Sequence, residues 1–132
     1  MTSSSKPVAR VVDFEDAAQE PTEWPTTPAL GVCQLLKRLG LKPSSIDRWE
    51  INEAFAMVVT ANVALIGQEF EESVDMAKVN VAGGAVTMGH PFGMSGARIT
   101  NHLALNLLPG QLGIATLCNG GGGASTILLE GV

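Results

Sequence analysis

Residues 79–98, Val-Asn-Val-Ala-Gly-Gly-Ala-Val-Thr-Met-Gly-His-Pro-Phe-Gly-Met-Ser-Gly-Ala-Arg, constrain this chain more than any other stretch. Five glycines surround a single histidine there. Val79, Val81 and Val86 suit extended backbone, and Gly83 and Gly84 invite a bend or a close backbone approach. Gly89-His90-Pro91 makes a sharp corner, because proline fixes its own φ and turns the residue before it away from helix. Behind Ser95 a helical pattern starts, with Ile99, Leu103 and Leu107 at steps of four. His90 is therefore expected between a strand and a helix, aimed by rigid backbone, where catalytic side chains are often placed.

The rest of the chain reads as alternating elements. Val8 to Phe14 is rich in β-branched residues and predicts a first strand. It overlaps the acidic run Asp13, Glu15, Asp16, Glu20, which leads into a loop at Pro21, Pro25 and Pro28. Val32, Leu35, Leu36 and Leu39 then fall at helical spacing, and Gly40 stops that helix. Trp49 to Ile51 predicts a short second strand. Residues 54–66 are apolar except for Thr60 and Asn62, the signature of a buried helix. Gly67 to Lys78 reads as an acidic loop and Val79 to Thr87 as a third strand. The third helix occupies 95–108, halted by Pro109-Gly110. Leu112 to Leu117 and Ser125 to Leu129 complete the strands, joined by Asn-Gly-Gly-Gly-Gly-Ala over 119–124. The order is β-α-β-α-β-α-β-β. It predicts an α/β fold with a mixed, mostly parallel five-stranded sheet, helices on both faces and an antiparallel final pair.

Composition bounds the function. The chain has 132 residues, one ordinary domain, with 45% apolar residues and enough of them for a real core. A charged fraction of 16% is low for a free-standing domain and suggests that part of its surface is covered by something else. Net charge is −5 without a basic cluster, which argues against nucleic acid and anionic membrane as partners. Cys33 and Cys118 lie far apart and offer no metal-ligand spacing, so a reducing compartment and no metal are expected. No run is long enough to span a membrane. Residues 1–6 are polar and expected to be loose, with no secretory or Arg-rich leader pattern. The C-terminus is not a peroxisomal Ser-Lys-Leu.

Three polar stretches fall where strands end: Asn52-Glu53-Ala54-Phe55, Gly89-His90-Pro91 and Cys118-Asn119-Gly120-Gly121. Ligand sites of open α/β sheets gather at the carboxyl ends of strands, so the three can converge. A histidine favours a neighbouring thiolate, and glycine backbone can bring N–H groups against an oxyanion. Each has a bland counterpart. His90 alone is more often structural, Cys118 a small hydrophobe, Asn52 a turn former, and the glycine run a tight connection. Cys33 and His102, inside helices, are assigned to packing and to surface, and Met57, Met76, Met88 and Met94 to packing.

Taken together, these motifs resemble the C-terminal half of the thiolases, closest to the acetyl-CoA acetyltransferases. The resemblance rests on Asn52-Glu53-Ala54-Phe55-Ala56, on Gly83-Gly84-Ala85-Val86 running into Gly89-His90-Pro91-Phe92-Gly93-Met94-Ser95-Gly96-Ala97-Arg98, and on Cys118-Asn119-Gly120-Gly121-Gly122. The segment Pro7 to Val12 is similar too, and Thr87 departs slightly from the pattern. The resemblance implies a thiolase C-terminal domain over 7–132. It implies Claisen condensation of two acetyl-CoA to acetoacetyl-CoA and CoA, or the reverse thiolysis. CoA thioesters are then substrates, and no cofactor is tightly bound. By motif, His90 activates a nucleophilic cysteine and donates to an oxyanion hole, and Asn52 holds the water completing that hole. Cys118 removes and returns the α-proton, and the Gly120 N–H serves a second oxyanion hole. The family's nucleophilic cysteine and loop domain belong to an N-terminal half whose motifs this sequence does not contain, so this chain alone is expected to be inactive. A homodimer or homotetramer is implied for the complete enzyme, in the cytoplasm or mitochondrial matrix. The alternatives are a non-catalytic interaction module of the same fold and another subtype such as a 3-ketoacyl-CoA thiolase. The apolar stripe of helix 95–108 is the expected meeting face with the other half.

Overall fold

The computed structural model describes residues 6–132; the loose segment expected over 1–6 lies, up to residue 5, outside the described residues. Four strands form one sheet: β1 (Ala9–Ala18), β2 (Arg48–Ile51), β3 (Leu112–Cys118) and β4 (Gly123–Gly131), in the order β1-β4-β3-β2. β4 runs antiparallel to both its neighbours, and β2 pairs parallel to β3. Three of the four strands thus point one way and β4 alone is reversed. The glycine hairpin between β3 and β4 forces that reversal.

Helices α1 (Thr27–Leu39) and α2 (Ala56–Phe70) cover one face, and α4 (Ser95–Asn106) covers the other; α3 (Ala85–Met88) is a single turn. Alternation along the strands divides the core accordingly. Trp49, Ile51, Ile114 and Leu128 point at α1 and α2 and join Val32, Leu35, Leu36 and Ile66. Ala115 and Leu129 point the other way and meet Ile99, Leu103 and Leu107 of α4. Both helices lie close to the sheet where glycine replaces a side chain. A Cβ on Gly31 would come within 2.9 Å of Thr126 Oγ1, and one on Gly113 within 2.6 Å of Leu103 Cδ1. Gly40 ends α1 in the left-handed conformation, φ +66°, as its position after Leu39 foretold.

Asn62 is the one fully buried polar side chain of α2. Its Oδ1 accepts the Ala29 N–H at 2.6 Å, and its Nδ2 donates to the carbonyls of Pro25 and Val58, both at 2.7 Å. It satisfies the start of α1 from the neighbouring helix.

The third of the five expected strands, Val79–Thr87, does not form. It is reduced to one parallel bridge between Val79 and Trp49. Asn80 leaves the extended region, at φ +46°, and its side chain takes over the ladder. Asn80 Oδ1 accepts the Ile51 N–H at 2.9 Å, and Nδ2 donates to the Ile51 carbonyl at 2.8 Å. The chain then turns at Gly83 and closes the single turn α3. Helix α2 is not apolar-buried all round either: Met57 and Leu65 are exposed. Met76, Met88 and Met94 are exposed as well, so none of these four methionines is a packing residue of this chain. The stripe Ile99, Leu103, Leu107 packs on the chain's own sheet. Apolar side chains also stay open on the flank of α4, at Leu105 and Leu108, and on the uncovered part of β1, at Val11 and Phe14.

Candidate active site

β2 and β3 end side by side, and their register carries two of the expected residues to one edge. The Asn52 N–H continues the ladder to the Thr116 carbonyl at 3.0 Å. Cys118 is the last residue of β3. His90 arrives from the other direction, on the loop between α3 and α4 rather than directly after a strand. Gly89 and Gly93, both with φ between +76° and +91°, shape that loop.

His90, Cys118 and Gly120 line one cavity of about 720 Å³, with Trp24, Phe55, Phe92, Ser95 and Asn119 among the other walls. Asn52 does not line it but stands buried behind His90, 1% exposed. Its Nδ2 lies 3.5 Å from His90 Nε2. Its Oδ1 is buried with no partner among the described residues, unusual for a polar atom in a folded protein. The other face of the imidazole is held firmly: His90 Nδ1 is 2.6 Å from Ser95 Oγ.

The cysteines differ. Burial pushes the Cys118 thiol above its ordinary value, so it rests protonated in this chain. Cys118 is nevertheless half-open to the cavity. Cys33 is buried in the core beside α2, and burial raises it to about 11, so its assignment to packing stands. His102 is not a plain surface residue: Nε2 is 3.6 Å from a carboxylate oxygen of Glu50, which is buried under α4.

The glycine loop is ordered by Asn119. Its Oδ1 accepts the N–H groups of Gly121 at 2.9 Å and Gly123 at 3.2 Å. Gly122 has φ +92° and sits where a Cβ would come within 2.5 Å of the Gln19 carbonyl. This docks the hairpin on the chain ahead of α1. A Cβ on Gly120 would meet nothing within 4 Å, so that position faces open cavity.

Two residues were not legible as site components. Glu53 accepts the Val86 N–H and an Asn80 Nδ2–H, both at 3.0 Å, and so ties the end of β2 to the loop that carries His90. Gly84 must lack a side chain there, since its Cβ would fall 2.3 Å from the Glu53 carboxyl carbon. Trp24 reaches the cavity from the loop before α1 and packs on Phe55, ring centroids 5.8 Å apart. Nothing local in the sequence marks it. Among the described residues, no group of three or more His, Cys, Asp or Glu could hold a metal, and no helix is long and apolar enough to cross a membrane.

Known proteins match this chain over nearly its whole length. The family model for the thiolase C-terminal domain matches residues 5–131. Mitochondrial acetyl-CoA acetyltransferase A of Xenopus laevis is 54% identical over 124 residues, 94% of this chain and 28% of that protein. The mitochondrial enzyme of Mus musculus is 51% identical over 125 residues, again 28% of its length. The Acat5 thiolase of Ascaris suum, solved in complex with coenzyme A, superposes with a TM-score of 0.87 at 46% identity, over 96% of this chain and 32% of that one. Peroxisomal 3-ketoacyl-CoA thiolase of Saccharomyces cerevisiae, five-layered and built from two core domains of identical topology, gives 0.82 at 31% identity, over 95% and 35%. The chain therefore spans about a third or less of the relatives it matches, and across nearly all of its own length it belongs to the thiolase family, as a thiolase C-terminal domain.

Proposed function

We propose that this chain supplies the acid/base and oxyanion-binding half of an acetyl-CoA acetyltransferase. The observation that carries the reading is that His90 and Cys118 line one cavity, with Asn52 directly behind His90 at 3.5 Å. The Asn52 Nδ2 and His90 Nε2 stand 3.5 Å apart, close enough for both to donate to one oxygen placed between them. Such paired donors stabilise the enolate oxygen of a thioester, and one donor of this kind is worth roughly 10²–10³ in rate. The unpartnered Asn52 Oδ1 supports a role in holding a water beside that place, whose other proton joins His90 Nε2 in donating to the enolate oxygen.

The α-proton of acetyl-CoA passes to Cys118 Sγ as the thiolate. The resulting carbanion attacks the carbonyl of an acetyl group carried as a thioester on a cysteine of the other thiolase half. A carbon–carbon bond forms, the carbon–sulfur bond to that cysteine breaks, and Cys118 returns the proton to the departing thiolate. Gly120 lines the cavity, and its N–H is the donor to the oxygen of that second carbonyl in this reading. The raised thiol of Cys118 fits a base that is strong once ionised; its resting proton goes to the CoA thiolate that leaves when the cysteine of the other half is acylated, so Cys118 is a thiolate when the α-proton is removed. Acetyl-CoA, acetoacetyl-CoA and CoA are the ligands of this reading, and no tightly bound cofactor enters it. The mitochondrial relatives support a mitochondrial rather than a cytoplasmic setting.

The exposed Leu105, Leu108, Val11 and Phe14 support a thiolase N-terminal half as the partner. Burying each such side chain contributes about 1.5–3 kcal/mol. The test is deuterium exchange of the acetyl α-protons in the chain assembled with a thiolase N-terminal half. Exchange is expected, and its loss in Cys118→Ala with acylation of the other cysteine retained. Exchange at the normal rate in Cys118→Ala would overturn the assignment.

A further inference from the structure

We infer that Ser95 is a positioning residue for His90: its hydroxyl donates to Nδ1, fixes the plane of the ring, and leaves the proton of the neutral imidazole on Nε2, aimed at the cavity. The inference rests on the catalytic reading of His90 only for its consequence, not for its geometry.

Ser95 is the first residue of α4 and is 2% exposed. Its Oγ lies 2.6 Å from His90 Nδ1, short for a neutral contact of this kind. A buried hydroxyl needs an acceptor for its proton, since leaving a buried donor unmade costs about 1–3 kcal/mol. Among the described residues, His90 Nδ1 is the one hydrogen-bond partner of Ser95 Oγ. The hydroxyl proton therefore goes to the Nδ1 lone pair. A neutral imidazole with an accepting Nδ1 carries its hydrogen on Nε2. Nε2 then becomes a donor, and it faces the Nδ2 donor of Asn52 at 3.5 Å rather than accepting from it. Two donors stand side by side at His90 because Ser95 has taken the only acceptor position of the ring.

The helix makes this arrangement stiff. Gly96 follows immediately, and Leu117 fills the space over it, 3.3 Å from where a Cβ would stand. Ile99, one turn on, is locked against the sheet beneath α4. The hydroxyl is thus carried by an element that cannot shift without opening the second core. His90 itself is on a loop flanked by glycines and depends on that hydroxyl for its direction.

The chain has two histidines, and His102 serves as an internal control. The experiment is nitrogen-15 NMR of the imidazoles in the full chain, comparing wild type, Ser95→Ala and Ser95→Thr. The expected wild-type result is a protonated Nε2 and a hydrogen-bonded, unprotonated Nδ1 on His90. Ser95→Ala should move the His90 Nδ1 resonance toward that of a free imidazole, by more than either His102 nitrogen moves, and Ser95→Thr should restore it. A protonated Nδ1 in the wild type, or a His90 spectrum indifferent to Ser95→Ala, would overturn the inference. In the chain assembled with a thiolase N-terminal half, Ser95→Ala should lower kcat for α-proton exchange with little change in KM. Loss of exchange in the wild-type assembly, with the spectra as expected, would sink the catalytic reading of His90 and leave the positioning by Ser95 intact.

Discussion

Glu50 offers a sharp test of how the second core is built. It lies on β2 between Trp49 and Ile51, and alternation points it at α4 instead of at the main core. It is 4% exposed. Burial raises its carboxyl from 4.5 to about 7, with Arg98 opposing the shift, Glu53 adding to it and Arg48 opposing it. Below 4.5 the carboxyl is protonated in both the folded and the unfolded chain, and it makes no difference to stability. Between 4.5 and 7 the folded chain holds a proton that the unfolded chain has released, so stability falls as pH rises. Above 7 both forms are ionised and the full cost is present. At about 1.4 kcal/mol per pH unit, the gap amounts to about 3 kcal/mol. The perturbation is Glu50→Gln, and the assay is urea unfolding from pH 4.5 to 8, followed by the fluorescence of buried Trp49. The wild type should lose about 3 kcal/mol more than the variant across that range. Parallel stability curves for the two proteins would refute the reasoning and place the ionised Glu50 in a fully compensated pair with Arg98 and His102.

Four other outcomes follow from the packing. Asn62→Leu leaves the Pro25 carbonyl without its partner and removes the shorter of two bonds made by the Ala29 N–H, which keeps only the Thr26 carbonyl at 3.1 Å, and should destabilise the chain by roughly 1–3 kcal/mol in urea melts. Gly113→Ala pushes a methyl against Leu103 and Leu107, and should cost about 1–3 kcal/mol by prying α4 from β3. The chain by itself should bind a hydrophobic dye or self-associate in sedimentation, and Leu105→Glu with Leu108→Glu should reduce both; a clean, dye-negative wild-type monomer would contradict the reading of that face as a docking surface. Purified chain should show no thiolysis of acetoacetyl-CoA without a thiolase N-terminal half, and turnover abolished by Cys118→Ala would point to a nucleophile of its own.

Much of this protein is local and was therefore readable from the sequence. Apolar spacing set α1 over Leu35 and Leu36, and Gly40 stopped it. The glycine run after Cys118 dictated an antiparallel hairpin, because so short a link cannot cross over the sheet. The strand-end positions of Asn52 and Cys118 followed from the same alternation, and the motif around His90 pointed to one family. Periodicity could not foresee Asn80, whose side chain replaces a strand's ladder and ends the expected third strand after one bridge. That depends on the edge of β2 being presented to it, a contact between segments 29 residues apart. Nor could it tell that the stripe of α4 faces its own sheet while Leu105 and Leu108 stay open, since a stripe records that a face is buried and not against what. Trp24 in the cavity wall, Glu53 as the clamp of the His90 loop and Glu50 beneath α4 share this character. Each owes its role to a neighbour distant in sequence, and only the folded chain decides which neighbour that is.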